Sequence, residues 1–128
     1  MVNEDSNVIA KAAAGLEMLT GAGLIAAPSF MARLLFGSEM GASGDAVGRI
    51  SGLVMLCLAA GCWPRDSQQL RPQALAPLLA LSLLATAYLI VVGLSGATVG
   101  VLLWPAAALH LILAILLVRA WAGARGMS

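Results

Sequence analysis

Three ionisable residues, Glu17, Arg49 and His110, lie far from the ends of long apolar stretches, and Tyr88 adds a hydroxyl group in a fourth stretch. An ionisable group at membrane depth costs free energy, so it is a functional candidate by default. These four side chains offer a carboxyl, a guanidinium, an imidazole and a phenol, which suit proton exchange or hydrogen bonding to a ligand. We predict a ligand or proton site built from Glu17, Arg49, Tyr88 and His110.

A purely structural interpretation of the same residues stays open. Glu17 and Arg49 would then form an ion pair that locks two helices together, and His110 would be a neutral core residue bonded to a hydroxyl group. The sequence leaves open whether Glu17 pairs with Arg49, with His110 or with both. A buried carboxyl group without such a partner is favoured in its neutral form, whereas a nearby arginine holds it charged.

Other chemistry finds little support in the sequence. The available nucleophiles, Ser51, Ser82 and Cys57, have no base placed by a recognisable motif, so an enzyme is the least expected class. A single histidine excludes a bis-histidine haem. Cys57 and Cys62 are five residues apart on one helix, about 140° around its axis, so they do not form the ligand set of a zinc site.

The composition indicates the class of protein that must position these residues. The chain has 128 residues, of which 61 % are hydrophobic and 10 % charged. Soluble domains carry about 25 % charged residues, so a soluble globular protein and a disordered chain are both excluded. Seven basic against six acidic residues give no basic face for nucleic acid. We predict a small polytopic membrane protein, whose partners are the lipid bilayer and other membrane subunits or a second copy.

The apolar stretches have the length of membrane spans, which need roughly 20 mostly apolar residues each. We predict a single all-α domain over residues 1–128, an antiparallel bundle of four transmembrane helices. Pro28 ends or kinks the first helix. The segment that follows it is predicted to be a short amphipathic helix in the membrane interface, with Phe30 on its apolar side; the alternative is a bent extension of the first helix. The predicted helices cover about 8–27, 46–63, 74–94 and 99–122, the interfacial helix covers about 28–36, and the loops are 37–44, 64–73 and 95–99.

The positions of Lys and Arg predict the orientation of the bundle. With four spans, both termini share one side, which holds five of the seven basic residues, whereas Arg33 and Arg49 lie on the other side. The positive-inside rule then places both termini on the cytoplasmic side of a bacterial inner membrane.

The depth of each polar residue follows from the helical rise of about 1.5 Å per residue, measured from the cytoplasmic ends of the helices. Glu17 and His110 lie roughly 14–16 Å deep, and Arg49 and Tyr88 roughly 21 Å deep. All four helices are thus predicted to contribute a polar group to the middle and outer half of the membrane.

Small residues predict how the helices pack. Gly44, Gly48 and Gly52 recur every four residues, and in a bilayer such stripes allow helices to approach closely. Glu17 shares the small-residue face of the first helix, because Ala13 and Gly21 lie four residues before and after it. This placement predicts that the Glu17 side chain points into the bundle.

Short motifs follow one another in the first half of the chain: Gly15-Leu16, Pro28, the run Leu34-Leu35-Phe36-Gly37, Gly48-Arg49, Gly52 and Cys62-Trp63. In this order they resemble the small bacterial four-helix membrane proteins of the DoxX-like superfamily. The resemblance implies a four-helix bundle and, for some members, association with quinone-linked redox complexes. It marks Pro28 and Arg49 as shared features.

Two functions are therefore expected from the sequence. The first is a protein that acts by association, as an accessory subunit or as a binder of a quinone-like molecule that accepts hydrogen bonds from His110, Tyr88 or Arg49. The second is a proton-coupled transporter that works as a homodimer through Glu17. The latter is similar to the small multidrug transporters, which also have four helices and a membrane-embedded glutamate in the first.

Overall fold

The computed structural model describes residues 2–64, 72–96 and 99–125, and these ranges contain helices and no strand. The helices are α1 (Val2–Ala26), α2 (Pro28–Phe36), α3 (Ala42–Gly61), α4 (Pro72–Leu94) and α5 (Leu103–Arg125). All except α2 are long and apolar enough to cross a membrane. The predicted all-α fold with four spans and a short helix after the first is confirmed. Most of the loop predicted at 64–73, and part of the turn at 95–99, lie outside the described residues.

The helices α1 and α3 begin earlier than the apolar segments from which the sequence predicts them. α1 begins at Val2 rather than near residue 8, and α3 begins at Ala42 rather than near residue 46. Both extensions carry acidic residues in the first turn: Glu4 and Asp5 in α1, and Asp45 in α3. Acidic side chains stabilise the positive end of a helix dipole, so the helical backbone continues where hydropathy alone predicts a loop.

α2 is a separate helix because the backbone breaks at Ala27, where φ is −147°. Proline disfavours the helical conformation in the residue before it, so Pro28 prevents α1 from continuing directly into α2. The side of α2 that packs against the bundle carries Pro28 and Ala32, which are buried. Phe30, on the predicted apolar side, is instead 59 % exposed. In a membrane such an exposed phenylalanine can lie against lipid.

The end of α2 is bonded to the segment that precedes α5. Gly37 ends α2 in the left-handed region, with φ of 72°, and its N–H donates to the carbonyl oxygen of Arg33. Beyond it, the N–H of Gly100 donates to the carbonyl oxygen of Leu35 at 3.0 Å, and the N–H of Leu102 donates to that of Leu34 at 2.9 Å. These bonds explain why α5 begins at residue 103 rather than at 99.

Replacing Gly100 with alanine should weaken this connection. A methyl group there would overlap the backbone carbonyl groups of Leu34 and Arg33, so the two hydrogen bonds must lengthen or break. We expect a loss of about 1 kcal/mol in the free energy of unfolding, the low end for overpacking because the segment is short and can shift. Unfolding in mixed micelles with increasing SDS measures the change. The control is Gly41→Ala, since nothing lies within 4 Å of that added methyl group; equal stability of the two variants would contradict the prediction.

The α2–α3 connection is held by polar contacts. The Ser29 hydroxyl lies 2.5 Å from Oδ1 of Asp45 and 2.9 Å from the carbonyl oxygen of Met40, both of which can accept its hydrogen. Gly44 also belongs to this region, because a Cβ there would lie 2.7 Å from Cβ of Met40. Gly44 therefore packs against its own connecting loop, and not against another transmembrane helix.

α1 and α3 cross at a pair of glycines. A Cβ on Gly52 would lie 2.5 Å from the carbonyl oxygen of Gly21, and a Cβ on Gly21 would lie 2.8 Å from that of Gly52. One turn along α3, a Cβ on Gly48 would lie 2.9 Å from Cβ of Pro28. Two of the three glycines in the predicted stripe thus lie where α3 meets α1 and the start of α2.

Two apolar clusters, at opposite ends of the bundle, form the core. The larger cluster contains Ala10, Ala13, Ala14, Ala59, Cys62, Leu75, Leu78, Leu113, Leu117 and Ala120. The smaller cluster contains Leu89, Leu103 and Ala107. In the larger cluster, the early parts of α1 and α4 meet the late parts of α3 and α5, so neighbouring helices run antiparallel, as the sequence predicts.

Candidate functional site

A stripe along α4 passes from the larger apolar cluster to the smaller one, and its middle is polar. The stripe begins with Leu75, continues through Ser82 and Thr86, and ends at Leu89; all four residues are buried. Ser82 is seven residues, or about 10 Å, from each leucine. The hydroxyl groups of Ser82 and Thr86 therefore lie between the two apolar clusters, near the middle of the span.

The neighbouring helices place ionisable groups at a similar depth. On α5, His110 is seven residues from Leu103 of the smaller cluster and seven from Leu117 of the larger. On α1, Glu17 follows Ala13 of the larger cluster by one helical turn. We call Glu17, Ser82, Thr86 and His110 the polar layer, since the helical rise places them at a similar depth on three helices. Apart from the Thr86–Ser82 hydrogen bond, no hydrogen bond joins these four residues.

The polar layer is enclosed and incompletely hydrogen-bonded. Glu17 and Ser82 are each 1 % exposed, and His110 is half-buried. The Thr86 hydroxyl donates to the Ser82 carbonyl oxygen at 2.7 Å. Oε2 of Glu17, Oγ of Ser82 and Nδ1 of His110 are buried without a hydrogen-bond partner; within the described ranges only Oδ1 of Asn7, near the start of α1, shares this property. Most buried polar atoms in native proteins have a partner, so three such atoms in one layer require an explanation.

Arg49 does not belong to the polar layer, which corrects the prediction. Arg49 is exposed on the outer surface of α3. Its guanidinium group forms no ion pair or hydrogen bond with the part of the chain that the structure describes. The reason is geometric: Gly48 faces the start of α2, and the next residue is rotated by about 100° around the helix. The Glu17–Arg49 ion pair, one of the alternatives that the sequence left open, is therefore not formed.

Tyr88 is the second correction. It is 61 % exposed, and its ring packs edge-on against Phe36 of α2, with ring centroids 6.4 Å apart. Two residues along a helix correspond to a rotation of about 200°, so when Thr86 faces inward Tyr88 faces outward. The alternative pairing of Glu17 with His110 is also not formed, since no hydrogen bond joins their side chains.

Ser82 and Thr86 are the residues that the sequence analysis did not place in the site. The sequence indicates Ser82 only as a possible nucleophile, although the spacing of its neighbours also predicts that it faces the bundle. Leu75, Leu78, Ser82 and Leu89 recur at spacings of three, four and seven residues, which is one face of a helix. On that otherwise apolar face, Ser82 and Thr86 carry hydroxyl groups.

The arrangement suits a ligand that accepts hydrogen bonds. A serine hydroxyl, a neutral carboxyl group and a neutral imidazole each carry one donor hydrogen, and each can also accept. Metal binding has no such support, because nowhere in residues 2–64, 72–96 and 99–125 do three His, Cys, Asp or Glu side chains lie together. The polar layer therefore offers up to three donors at one depth, with apolar surface on both sides.

Comparisons with protein-family models, curated proteins and solved structures find no match to this chain. The resemblance to the DoxX-like superfamily and the similarity to small multidrug transporters therefore stay predictions from short motifs.

Proposed function

We propose that this integral membrane protein binds a lipid-like, quinone-like molecule at the polar layer and acts by association rather than by catalysis. The observation that carries the proposal is the set of three buried, unpartnered polar atoms on Glu17, Ser82 and His110. A buried donor or acceptor without a partner costs about 1–3 kcal/mol. A ligand that supplies the missing partners would recover this free energy when it binds.

The chemistry of a quinone complements the polar layer. Its two carbonyl oxygens accept hydrogen bonds, and its ring and isoprenoid tail are apolar. Ser82 and His110 can each donate one hydrogen bond. Glu17 can donate a third when its carboxyl group is neutral, the form favoured for a carboxyl group in an apolar interior without a cation.

The proposed location is the cytoplasmic membrane of a bacterium, with both chain termini in the cytoplasm. Five of seven basic residues on the side of the termini support this orientation. A quinone dissolves in the hydrocarbon of the same membrane, at the depth where the polar layer lies. The ligand can therefore reach the protein without passing through water.

The alternative, a proton-coupled transporter that works as a homodimer through Glu17, needs that carboxyl group at an interface between two copies. Glu17 is instead 1 % exposed within its own bundle. This enclosure favours binding within a single chain. Transport would be supported if a vesicle-reconstituted protein moved an organic cation against a proton gradient and Glu17→Gln abolished that movement.

Native mass spectrometry of the protein, extracted from its own membrane in a mild detergent, tests the proposal directly. We expect a retained molecule whose mass is that of a membrane quinone. Saturable binding of a benzoquinone with a short isoprenoid tail, measured by equilibrium dialysis in nanodiscs, should then reproduce the complex. A bare protein that also fails to bind the added quinone would contradict the proposal.

Removing one donor should weaken quinone binding about fivefold, since a hydrogen bond contributes about 1 kcal/mol and 1.4 kcal/mol corresponds to a factor of ten. We expect this for Ser82→Ala and for His110→Phe. The matched control is Ser51→Ala, because the Ser51 hydroxyl is exposed and donates to the Val47 carbonyl oxygen of its own helix at 2.9 Å. Equal affinities of the Ser82 and Ser51 variants would argue against the polar layer as the site.

A further inference from the structure

Arg49 places a cation on the outer surface of a helix that is long enough to span the membrane. α3 has 20 residues, about 30 Å of helix, which is the thickness of the hydrocarbon core. Arg49 lies seven residues after Ala42, so its backbone is about 10 Å from the nearer end of the span. It is exposed on the outer surface of the bundle. A cation at that depth is costly unless it has a partner or reaches water.

The acidic residues near this end of the bundle do not pair with the α3 arginine. Asp45, one turn earlier on the same helix, is the acceptor for the Ser29 hydroxyl at 2.5 Å. Glu39 pairs with Arg33 at 2.7 Å. Glu17 is enclosed between other helices. Among the described residues, therefore, no exposed carboxylate at membrane depth remains that a second copy of this chain could offer.

A regular row of exposed residues lies beside Arg49. The row consists of Ala46, Ile50, Leu53, Cys57 and Ala60, all of them exposed. Their spacing of four, three, four and three residues is that of the contact seam between two packed helices. Three of the five are small, which allows close approach in a bilayer. α3 is also the least enclosed of the four spans. We call this row the α3 seam.

We propose that the α3 seam docks a transmembrane helix of a different protein, and that a carboxylate on that helix pairs with Arg49. Charge complementarity carries the assignment, because the seam is apolar and its one flanking charge is a guanidinium, which binds carboxylates in a fixed two-pronged geometry. Gly52 on α3 faces α1, whereas the seam faces outward. The seam is thus separate from the polar layer, and either proposal can fail without the other.

Site-specific photo-crosslinking in native membranes tests the docking proposal. A benzophenone side chain at Leu53, in the seam, should capture one protein whose transmembrane helix carries Asp or Glu at the depth of Arg49. The same probe at Leu84, which is 70 % exposed on α4, should capture none. Arg49→Gln should reduce capture about tenfold or more, because it leaves the partner's carboxylate unpaired. Arg49→Lys should retain most of it.

A charge exchange makes the test specific. Replacing the partner's carboxylate with an amide should reduce capture as much as Arg49→Gln does, and exchanging the two charges should restore it. Arg49→Gln must retain the thermal stability of the original protein in detergent, which separates lost docking from lost folding.

Three results would each overturn the proposal. Capture that persists in Arg49→Gln would mean that the charge is irrelevant to docking. Adducts with lipid alone at Leu53 would mean that Arg49 reaches the headgroups and needs no protein partner. A Cys57–Cys57 disulfide formed by mild oxidation in a Cys62→Ser background would show that the seam binds a second copy.

Discussion

Replacing Gly52 with valine should lower the free energy of unfolding by about 3 kcal/mol, the upper end of the cost of overpacking. A Cβ at this position would lie 2.5 Å from the Gly21 carbonyl oxygen and 2.9 Å from Cγ1 of Ile25. The first neighbour is backbone, so it cannot rotate away as a flexible side chain can. α1 and α3 would have to separate along their whole contact, which removes the close packing that holds helices together in lipid.

The matched control is Gly15→Val. Valine has the same low helix propensity at both positions, but nothing lies within 4 Å of a Cβ added at Gly15. The difference between the two variants in SDS-driven unfolding therefore measures the crossing itself. Equal stabilities would mean that α1 and α3 do not approach each other at Gly21 and Gly52.

The sequence predicts the spans well because the bilayer imposes a length and a composition on each of them. It also predicts the close approach of α3 to its neighbours, since glycines every four residues favour it. Gly48 and Gly52 lie at such contacts, whereas Gly44 packs against Met40 in the preceding loop. At Gly44, α3 no longer contacts another transmembrane helix, and no local sequence pattern indicates where that contact stops.

The direction in which each side chain faces is harder to predict in a membrane protein. Lipid is as apolar as the protein interior, so hydropathy does not distinguish the inner side of a span from its outer side. Depth alone therefore groups Arg49 and Tyr88 with Glu17 and His110, although both are exposed. The glycine stripe contained the missing information: if Gly48 faces a neighbouring helix, Arg49 is rotated about 100° away from that contact.

Replacing Glu17 with methionine should raise the free energy of unfolding by about 2 kcal/mol while it weakens quinone binding about fivefold. Glu17 is 1 % exposed, and its Oε2 has no hydrogen-bond partner. Removing an unsatisfied buried polar group recovers a desolvation cost of about 1–3 kcal/mol. Methionine has a similar length and adapts its shape to a packed interior, so it should fill the same space.

This result would distinguish a ligand-binding role of Glu17 from a role in a structural ion pair. If Glu17 held a buried arginine, removing its charge would strand that arginine and lower stability by a few kcal/mol. Since Arg49 lies on the outer surface, Glu17→Gln should instead leave stability within about 1 kcal/mol of the original protein. Leu16→Met controls for the introduced methionine at a partly buried apolar neighbour. A destabilised Glu17→Met variant would mean that the carboxyl group is required for folding. A stabilised variant that binds quinone more weakly would mean that the protein retains a costly buried acid for its function.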